Sequence, residues 1–257
     1  MSNMVLSEQI GRVVIVTLNR PERHNSLVPE LLQEMISKLK DLRTQPEVRC
    51  MVLRANGRSF STGGDVRGFY ENLGSLDDYA NNLVGLLNQV IMSLIELPIP
   101  VVAAVHGIVT GGSLGFVLAS DIVLVAPEAS FTPYYSAVGF SPDGGWTALL
   151  PAIIGPKKVA EILMLNQTIT AEQAVDWGLA NRIISAERIY EEALSMAHKI
   201  AAQSRGSVRI AKRLLSEGRD ELTARLETER SNFVEQITTE EAHRGMQAFL
   251  ENLGKSV

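Results

Sequence analysis

The sequence has only one cysteine among its 257 residues, so no disulfide can form within the chain. That residue, Cys50, lies in the apolar run VRCMVLRA, where a free cysteine packs as a small hydrophobic side chain. A lone buried cysteine is typical of proteins from a reducing compartment, and we expect a cytoplasmic protein. We also expect no signal peptide, because MSNMVLSEQIGRVV has neither a basic start nor an uninterrupted apolar core.

Positive charge and long apolar runs are also scarce. The chain has 24 Lys and Arg against 29 Asp and Glu, for a net charge of −5. Nucleic-acid-binding surfaces usually carry a basic excess, so we expect no nucleic-acid partner. The longest apolar run, residues 98–105, is far shorter than the roughly 20 residues of a membrane span, so we expect no membrane partner. No pair of the four histidines has metal-ligand spacing supported by acids, so we infer no metal site.

The first half of the sequence alternates between β and α patterns. Apolar residues recur at helical spacing after Pro29, and two prolines, Pro98 and Pro100, end a second helix. Gly11 and Arg12 form a turn between the first two strand-like runs. We predict strands at 4–10, 13–18, 48–55, 101–105 and 122–126, and helices at 29–43, 77–97 and 111–120.

The second half is mostly helical, with one brief strand near residues 182–184. No linker or charge block separates it from the first half. The sequence therefore predicts an α/β core at residues 1–200 and a helical C-terminal region at residues 201–257. The predicted helical stretches are 145–165, 171–177, 186–203, 206–217 and 219–252.

Two glycine-rich loops follow predicted strands, at residues 56–65 and 106–112. Backbone N–H groups from two such loops can converge on one oxygen, and the second loop gains from the positive end of a helix. This pattern predicts an oxyanion hole for enolates or tetrahedral thioester anions. A serine hydrolase does not fit, because Ser113 of the G-x-S-x-G stretch does not directly follow its strand. Residues 59–66 lack the lysine of a phosphate-binding loop.

Five segments, in their order and spacing, resemble the crotonase family, the enoyl-CoA hydratase/isomerase superfamily, over nearly the whole chain. They are VVIVTLNRPERHNSL, RSFSTGGDV, PVVAAVHGIVTGGSLGFVLASDIVLVAPEASF, GFSPDGGWTALLP and ITAEQAVDWGLANRII. The resemblance implies an α/β fold with a core of repeated ββα units that binds acyl-CoA. It also implies a helical C-terminal region that trimerises, so we expect a homotrimer or homohexamer. Coenzyme A would be part of the substrate, and no separate cofactor is expected.

The C-terminal helices carry apolar stripes that could serve this assembly. We expect a single chain to leave part of these stripes uncovered. Their residues are Leu222, Leu226, Phe233, Met246, Phe249 and Leu250.

The resemblance assigns roles to residues of both glycine loops. Gly64 and Gly112 would donate the oxyanion-hole N–H groups. Asp65 would support the loop around the adenine and would not be a catalyst. The residues expected to bind the coenzyme A moiety are Arg23, His24, Asn25, Ser61, Gly63, Asp65 and Val66.

Departures from the family pattern decide which chemistry is expected. Hydratases of this family use two glutamates, whose positions are Gly115 and Tyr135 here. Asp143 in the SPDGG stretch remains, and some isomerases of the family carry their single acid in this loop. Moving a Δ3 double bond to Δ2 needs one base, and a dry pocket would raise its pKa to a useful range. The side chains predicted to line that pocket are Phe131, Tyr135, Phe140 and Trp146.

Four alternatives remain open at this stage. Asp143 could instead cap a helix that begins after it, which would make its carboxyl more acidic. The chain could be a non-catalytic acyl-CoA binder. It could be an enoyl-CoA hydratase, or a 4-chlorobenzoyl-CoA dehalogenase-like enzyme with Asp143 as nucleophile. The dehalogenase adds a tryptophan, which falls on Tyr135, and a histidine, which is absent from residues 77–97.

Overall fold

A computed structural model describes residues 3–216 and 218–254. Its strands form one six-stranded sheet, in the order β1-β2-β3-β4-β6-β9, and one three-stranded sheet, in the order β5-β7-β8. The strands are β1 (Val5–Ile10), β2 (Val13–Leu18), β3 (Cys50–Ala55), β4 (Val101–Val105), β5 (Ile108–Thr110), β6 (Ile122–Val125), β7 (Ser130–Thr132), β8 (Ile169–Thr170) and β9 (Arg182–Ile183).

The described helices alternate with the strands along much of the chain, and the last four follow β9. They are α1 (Pro29–Arg43), α2 (Val66–Glu71), α3 (Leu76–Ile95), α4 (Leu114–Leu118), α5 (Tyr135–Val138), α6 (Leu150–Ile154), α7 (Pro156–Leu165), α8 (Ala171–Asp176), α9 (Ile189–Ala201), α10 (Arg205–Leu215), α11 (Arg219–Ile237) and α12 (Glu240–Gly254). Short 3-10 turns lie at Pro21–Arg23, Leu73–Ser75 and Gly111–Ser113.

The central strands of the main sheet, β2, β3, β4 and β6, are mostly apolar because both of their faces are covered. The β1–β2 hairpin is antiparallel, whereas β2, β3, β4, β6 and β9 run parallel. Val14 and Val16 pack in the core that includes α1 and α3, whereas Val13 and Ile15 face the core formed with α9. Near-continuous hydrophobic runs are typical of such parallel strands. The predicted α/β fold is therefore confirmed.

The chain repeats a unit of two strands and a helix. β4 leads to β5 and then α4, and β6 leads to β7 and then α5. β3 is followed by an isolated bridge of Ser61 to Val109, and then by α2. The first strand of each unit lies in the main sheet, and the short strands β5 and β7 pair in the small one. Each junction from second strand to helix places a loop beside the same cavity.

The predicted helical stretch at 145–165 is interrupted. Residues 144–149 form turns, α6 begins only at Leu150, and Gly155 separates α6 from α7 with φ of +89°. Pro156 then starts α7, a position where proline's missing N–H does no harm. The stretch at 219–252 also divides, into α11 and α12, because the Thr239 hydroxyl accepts the N–H of Ala242 and caps α12.

The C-terminal helices pack onto the same core as the sheet. α11 lies against α3, and α12 lies against α2 and α5. Leu226, Phe233 and Met246 are buried within the single chain, so the expectation that the apolar stripes are left uncovered is wrong for these residues. Glu217, the last residue of the helix predicted at 206–217, and residues 255–257 of the predicted C-terminal region lie outside the described residues. Within the described ranges, none of the helices is long and apolar enough to cross a bilayer.

Candidate functional site

One cavity of about 650 Å³ runs from the loops after β2 and β3 to α5, α11 and α12. Its exposed end is lined by charged residues, including Arg23, Arg58 and Arg67. Its opposite end is apolar and is lined by Phe69, Leu83, Val84, Leu87, Val138, Phe140, Phe233, Phe249 and Leu250. A ligand with an anionic portion and an apolar portion would match this division.

The two glycine loops meet midway along the cavity. Gly63 has φ of +73°, and a Cβ there would lie 2.6 Å from the Thr110 carbonyl oxygen, so only glycine permits this approach. Leu27 and Gly64 form an isolated β-bridge, in which the N–H groups of Leu27 and Asp65 are the donors. The N–H group of Gly64 takes no part in this bridge. Gly112 lies in the first turn of a 3-10 helix, where N–H groups have no partner within the helix.

Ser113 is a structural residue of the second loop. Its side chain is fully buried, and its hydroxyl contacts the Ser61 carbonyl oxygen at 2.9 Å and the Thr110 carbonyl oxygen at 2.7 Å. This hydroxyl therefore joins the two glycine loops. Asp143 is not among the partners of this hydroxyl and bonds to Tyr135 instead.

Asp143 lies against the Gly112 turn, in the wall of the cavity. A Cβ at Gly112 would be 2.9 Å from Oδ1 and 3.1 Å from Oδ2 of Asp143, so the carboxyl occupies the space that a side chain would fill. The residue is only 6% exposed. The structure thus brings together Asp143, Gly64 and Gly112, the three predicted catalytic residues, on one cavity.

The Asp143 carboxyl is a weak acid for a physical reason. Its pKa is raised from 3.8 to about 7, and burial is the main cause. A hydrogen bond from Tyr135 opposes this rise, and the nearby charge of Glu229 adds to it. The Tyr135 hydroxyl donates to Oδ1 at 2.6 Å and lies 3.0 Å from the Asp143 carbonyl oxygen. Burial, followed by the charge of Asp143, raises the pKa of Tyr135 well above its ordinary value, so it stays a hydrogen-bond donor.

The helix-cap alternative for Asp143 is wrong. No helix begins after it until α6, whose N-cap is Leu149. Its side chain bonds to Tyr135, and its backbone oxygen, not its carboxyl, accepts the N–H of Trp146 at 3.4 Å. Gly144 and Gly145 both have positive φ, which bends the chain into turns at the place where a helix was expected.

The positions of the two hydratase glutamates cannot supply that chemistry here. A Cβ at Gly115 would lie 2.4 Å from Ile91 Cδ1 and 2.8 Å from the Gly144 carbonyl oxygen, so no acid fits without moving both. At the second position, the Tyr135 hydroxyl is a partner of Asp143 rather than a second acid or base.

Asp65 organises the charged end of the cavity. Its carboxylate accepts hydrogen bonds from Arg20 at 3.0 Å, Arg23 at 3.3 Å and Ser26 at 3.3 Å. It also accepts the N–H of Arg67 at 3.2 Å and caps α2. Burial would raise its pKa, but the hydrogen bonds and charges of the two arginines outweigh it and hold the pKa below its ordinary value. Asp65 is therefore a support for this loop.

His24 lies on the cavity wall as a neutral side chain. Burial and then the charge of Arg58 lower its pKa from 6.5. Its Nε2 lies 2.9 Å from the Arg58 guanidinium, which can only donate, so Nδ1 carries the proton and faces the Ser59 hydroxyl at 3.0 Å. The fixed positive charges at this end are arginines, and sequence reasoning missed Arg58 and Arg67.

Four of the predicted site residues lie behind the cavity wall. Asn25 is buried and holds the loops through bonds to Arg20, Asn56 and Ser59, and the Ser61 hydroxyl donates to the Asn25 carbonyl oxygen. Phe131 is fully buried in the core. Trp146 is also fully buried, and its indole N–H donates to the Gly111 carbonyl oxygen at 2.8 Å. These four residues were predicted to contact a ligand, but in the structure they support the cavity wall from behind.

The remaining predicted residues line the cavity: Arg23, His24, Gly63, Gly64, Asp65, Val66, Gly112, Tyr135, Phe140 and Asp143.

Sequence reasoning did not predict Phe69 and Phe233 as residues of the apolar end, or the acid behind Asp143. Both rings pack against each other and against the predicted Phe140, with ring centroids 5.5–5.8 Å apart. Glu229 is buried on α11 and accepts hydrogen bonds from the turn after Asp143. The sequence does contain a sign that Glu229 is buried. At helical spacing it falls within the apolar stripe of Leu222, Leu226 and Phe233.

Across the part of the chain that the structure describes, no three His, Cys, Asp or Glu side chains are grouped so as to hold a metal ion. The groups of the site that can act on a ligand are Asp143, its partner Tyr135 and the backbone of the two glycine loops.

Comparison with known proteins agrees with this geometry. The family profile described as "Enoyl-CoA hydratase/isomerase" matches residues 8–256. The chain is 32% identical to 1,2-epoxyphenylacetyl-CoA isomerase of Escherichia coli (strain K12), over 79% of this chain and 78% of that protein. It is 30% identical to 2,3-dehydroadipyl-CoA hydratase of the same organism, over 98% of this chain and 96% of that protein.

Solved structures share the fold over nearly the whole chain. An enoyl-CoA hydratase/isomerase from Mycobacterium paratuberculosis has a TM-score of 0.89 at 28% identity, covering 96% of this chain and 99% of that one. The match of the family profile, the relatives and the two converging glycine loops have one explanation: the chain belongs to the enoyl-CoA hydratase/isomerase family, within the crotonase superfamily, and is an enzyme of that superfamily.

Proposed function

We propose that this protein is an acyl-CoA isomerase that moves a carbon–carbon double bond from Δ3 to Δ2 of an enoyl-CoA. The observation that carries the proposal is the buried Asp143 carboxyl, with a pKa of about 7, beside the Gly112 turn. A general base works best when its pKa lies near the operating pH. Its position at the junction of the charged and apolar ends suits the carbon atoms next to a thioester.

The reaction needs one base and one anion site. The thioester carbonyl oxygen would accept hydrogen bonds from the N–H groups of Gly64 and Gly112. The Asp143 carboxylate removes a proton from C2, the electrons move into a dienolate held by the two N–H groups, and the carboxyl then returns the proton at C4. The product is the conjugated Δ2 thioester, and Asp143 ends as the carboxylate with which it began.

Tyr135 orients the base. Because its hydroxyl occupies Oδ1 at 2.6 Å, the other carboxylate oxygen is the one available to the substrate. The same contact supports the isomerase over a hydratase, which needs an acid and a base on either side of a water. A different observation supports the isomerase over a dehalogenase-like reaction: α3 carries no histidine to activate water for release of an ester on Asp143.

The charged end suits the coenzyme A moiety, because Arg23, Arg58 and Arg67 can pair with phosphates. The apolar end suits an uncharged acyl group. The name of one relative, 2,3-dehydroadipyl-CoA hydratase, implies an acyl group that ends in a second carboxylate. Such a carboxylate would meet no cation among the residues that line the apolar end of this cavity.

The test is conversion of a 3-enoyl-CoA by the purified protein, followed as the ultraviolet absorbance of the conjugated thioester. Asp143→Asn should lose activity by about 10²–10⁴-fold, whereas Asp41→Asn, an exposed change on α1, should keep it. In heavy water, return of the abstracted proton should place part of the original C2 hydrogen at C4. A folded Asp143→Asn protein with the parent rate refutes the mechanism, and a non-catalytic binder would show no conversion at all.

We further propose that the chain assembles as a homotrimer or homohexamer. Several large apolar side chains are exposed on the single chain, which is typical of surfaces covered by another subunit. They include Met164, Leu165, Leu214 and Leu215. Light scattering should give the mass of a trimer or hexamer, and a monomer at micromolar concentration refutes this assembly.

A further inference from the structure

Glu229 is a buried acid that holds the turn after Asp143. Its side chain lies on α11, and the residue is 4% exposed. Oε1 accepts hydrogen bonds from the Thr147 N–H at 2.7 Å, the Thr147 hydroxyl at 2.6 Å and the Ala148 N–H at 2.9 Å. Oε2 accepts the Gly145 N–H at 2.8 Å. Four donors converge on one carboxylate, which compensates the burial of its charge.

The turn that Glu229 holds reaches both parts of the reaction centre. It begins at Gly144, the residue after Asp143, where a Cβ would lie 2.4 Å from the Gly112 carbonyl oxygen. It also contains Trp146, whose indole N–H donates to the Gly111 carbonyl oxygen. A shift of this turn would therefore move the Asp143 carboxyl and the Gly112 loop relative to each other. Misplacement of reacting groups by about 1 Å can cost about 10²-fold in rate.

We propose that Glu229 is a positioning residue for the reaction, which fixes the Asp143 turn against the Gly112 loop and keeps a negative charge close to the Asp143 carboxyl. This rests on the proposed function, in which Asp143 is the base. A hydrogen-bonding side chain alone would not serve both purposes. Glutamine in the same place would retain one acceptor oxygen, but it would turn an N–H group toward the N–H of Gly145.

The charged and titratable groups around Asp143 support the electrostatic part. From α5, Tyr135 donates a hydrogen bond that lowers the Asp143 pKa. From α11, Glu229 raises it, and Arg225 donates to the Thr147 carbonyl oxygen at 2.6 Å from the exposed side of the turn. Gly112 and Leu87, which line the same cavity, carry no ionisable group. Loss of the Glu229 charge should therefore make Asp143 more acidic.

The experiment measures the Asp143 carboxyl directly. Protein carrying ¹³C at aspartate Cγ is titrated by NMR without substrate, and the Asp143 resonance is assigned from its loss in Asp143→Asn. In Glu229→Gln, its titration midpoint should fall by about one pH unit. The acidic limb of kcat/KM for a 3-enoyl-CoA should move down by the same amount, and kcat should fall about tenfold or more. The matched control is Glu235→Gln, an exposed change on the same helix, which should alter neither.

The outcomes separate the two proposals. A folded Glu229→Gln protein with an unmoved Asp143 midpoint, or with the turnover of the Glu235→Gln control, overturns the role of Glu229. If Glu229→Gln does not fold, Glu229→Asp keeps the charge but cannot span the same four bonds. Its kcat should fall while the midpoint stays near the parent value, and a parent kcat would overturn the proposal. If the wild type does not convert 3-enoyl-CoA, the proposed function fails, and the titration still decides whether Glu229 acts on Asp143.

Discussion

Replacing Asp143 with asparagine removes an ionisable group from the protein interior and keeps the size of the side chain. In the folded protein, burial raises the pKa of this carboxyl to about 7, against an ordinary value of 3.8 in the unfolded chain. Because the folded pKa lies above the unfolded one, the stability that this carboxyl contributes is fully present below about pH 4. It is lost as the pH rises through about 7.

The size of the effect follows from the shift. A difference of about 3 pKa units corresponds to about 4 kcal/mol in the free energy of unfolding, and about 2.5 kcal/mol of this is lost between pH 5 and pH 8. Asparagine has no such dependence. The difference in unfolding free energy, variant minus wild type, should therefore rise by about 2.5 kcal/mol from pH 5 to pH 8. Any constant effect of the substitution on packing or on the Tyr135 bond cancels in this comparison.

The assay is urea unfolding of both proteins at a series of pH values and one protomer concentration, since assembly would otherwise change the apparent stability. Asp41→Asn, which is exposed on α1, serves as the control, and its difference from wild type should not rise in this way. A difference that stays flat for Asp143→Asn, or falls with pH, would show that the carboxyl is not a weak acid in the folded protein. Asp143 would then lack the raised pKa that the proposed base requires.

Three further predictions follow from the same contacts. Tyr135→Phe removes the bond that lowers the pKa of Asp143, so the acidic limb of kcat/KM should move to higher pH; an unmoved limb contradicts this. Gly112→Ala puts a methyl 2.9 Å from Asp143 Oδ1, so kcat should fall about 10-fold or more while coenzyme A affinity, measured by calorimetry, holds. Gly115→Ala puts a methyl 2.4 Å from Ile91 Cδ1, and urea unfolding should report a loss of about 1–3 kcal/mol; equal stability would mean that the core yields freely.

The sequence alone predicted the elements whose hydrophobic pattern is long or continuous. The hairpin β1–β2, the buried strands β3, β4 and β6, and the helices α1 and α3 all appear close to the predicted ranges. Such patterns are local consequences of burial, so they can be counted along the chain. The order of the glycine loops and of the SPDGG stretch likewise singled out Asp143, Gly64 and Gly112, because those residue types at that spacing carry the family resemblance.

Tertiary contacts decided what the local pattern could not. The stretch after Asp143 looks like a capped helix in isolation, but α11 supplies Glu229, which accepts the N–H groups of Gly145, Thr147 and Ala148 and leaves the segment as a turn. Trp146 then faces the wall instead of the cavity. Above all, the pKa of Asp143 depends on burial and on groups 8 and 86 residues away in the chain, Tyr135 and Glu229. The sequence determines which carboxyl is present, and only the packed structure raises its pKa to about 7.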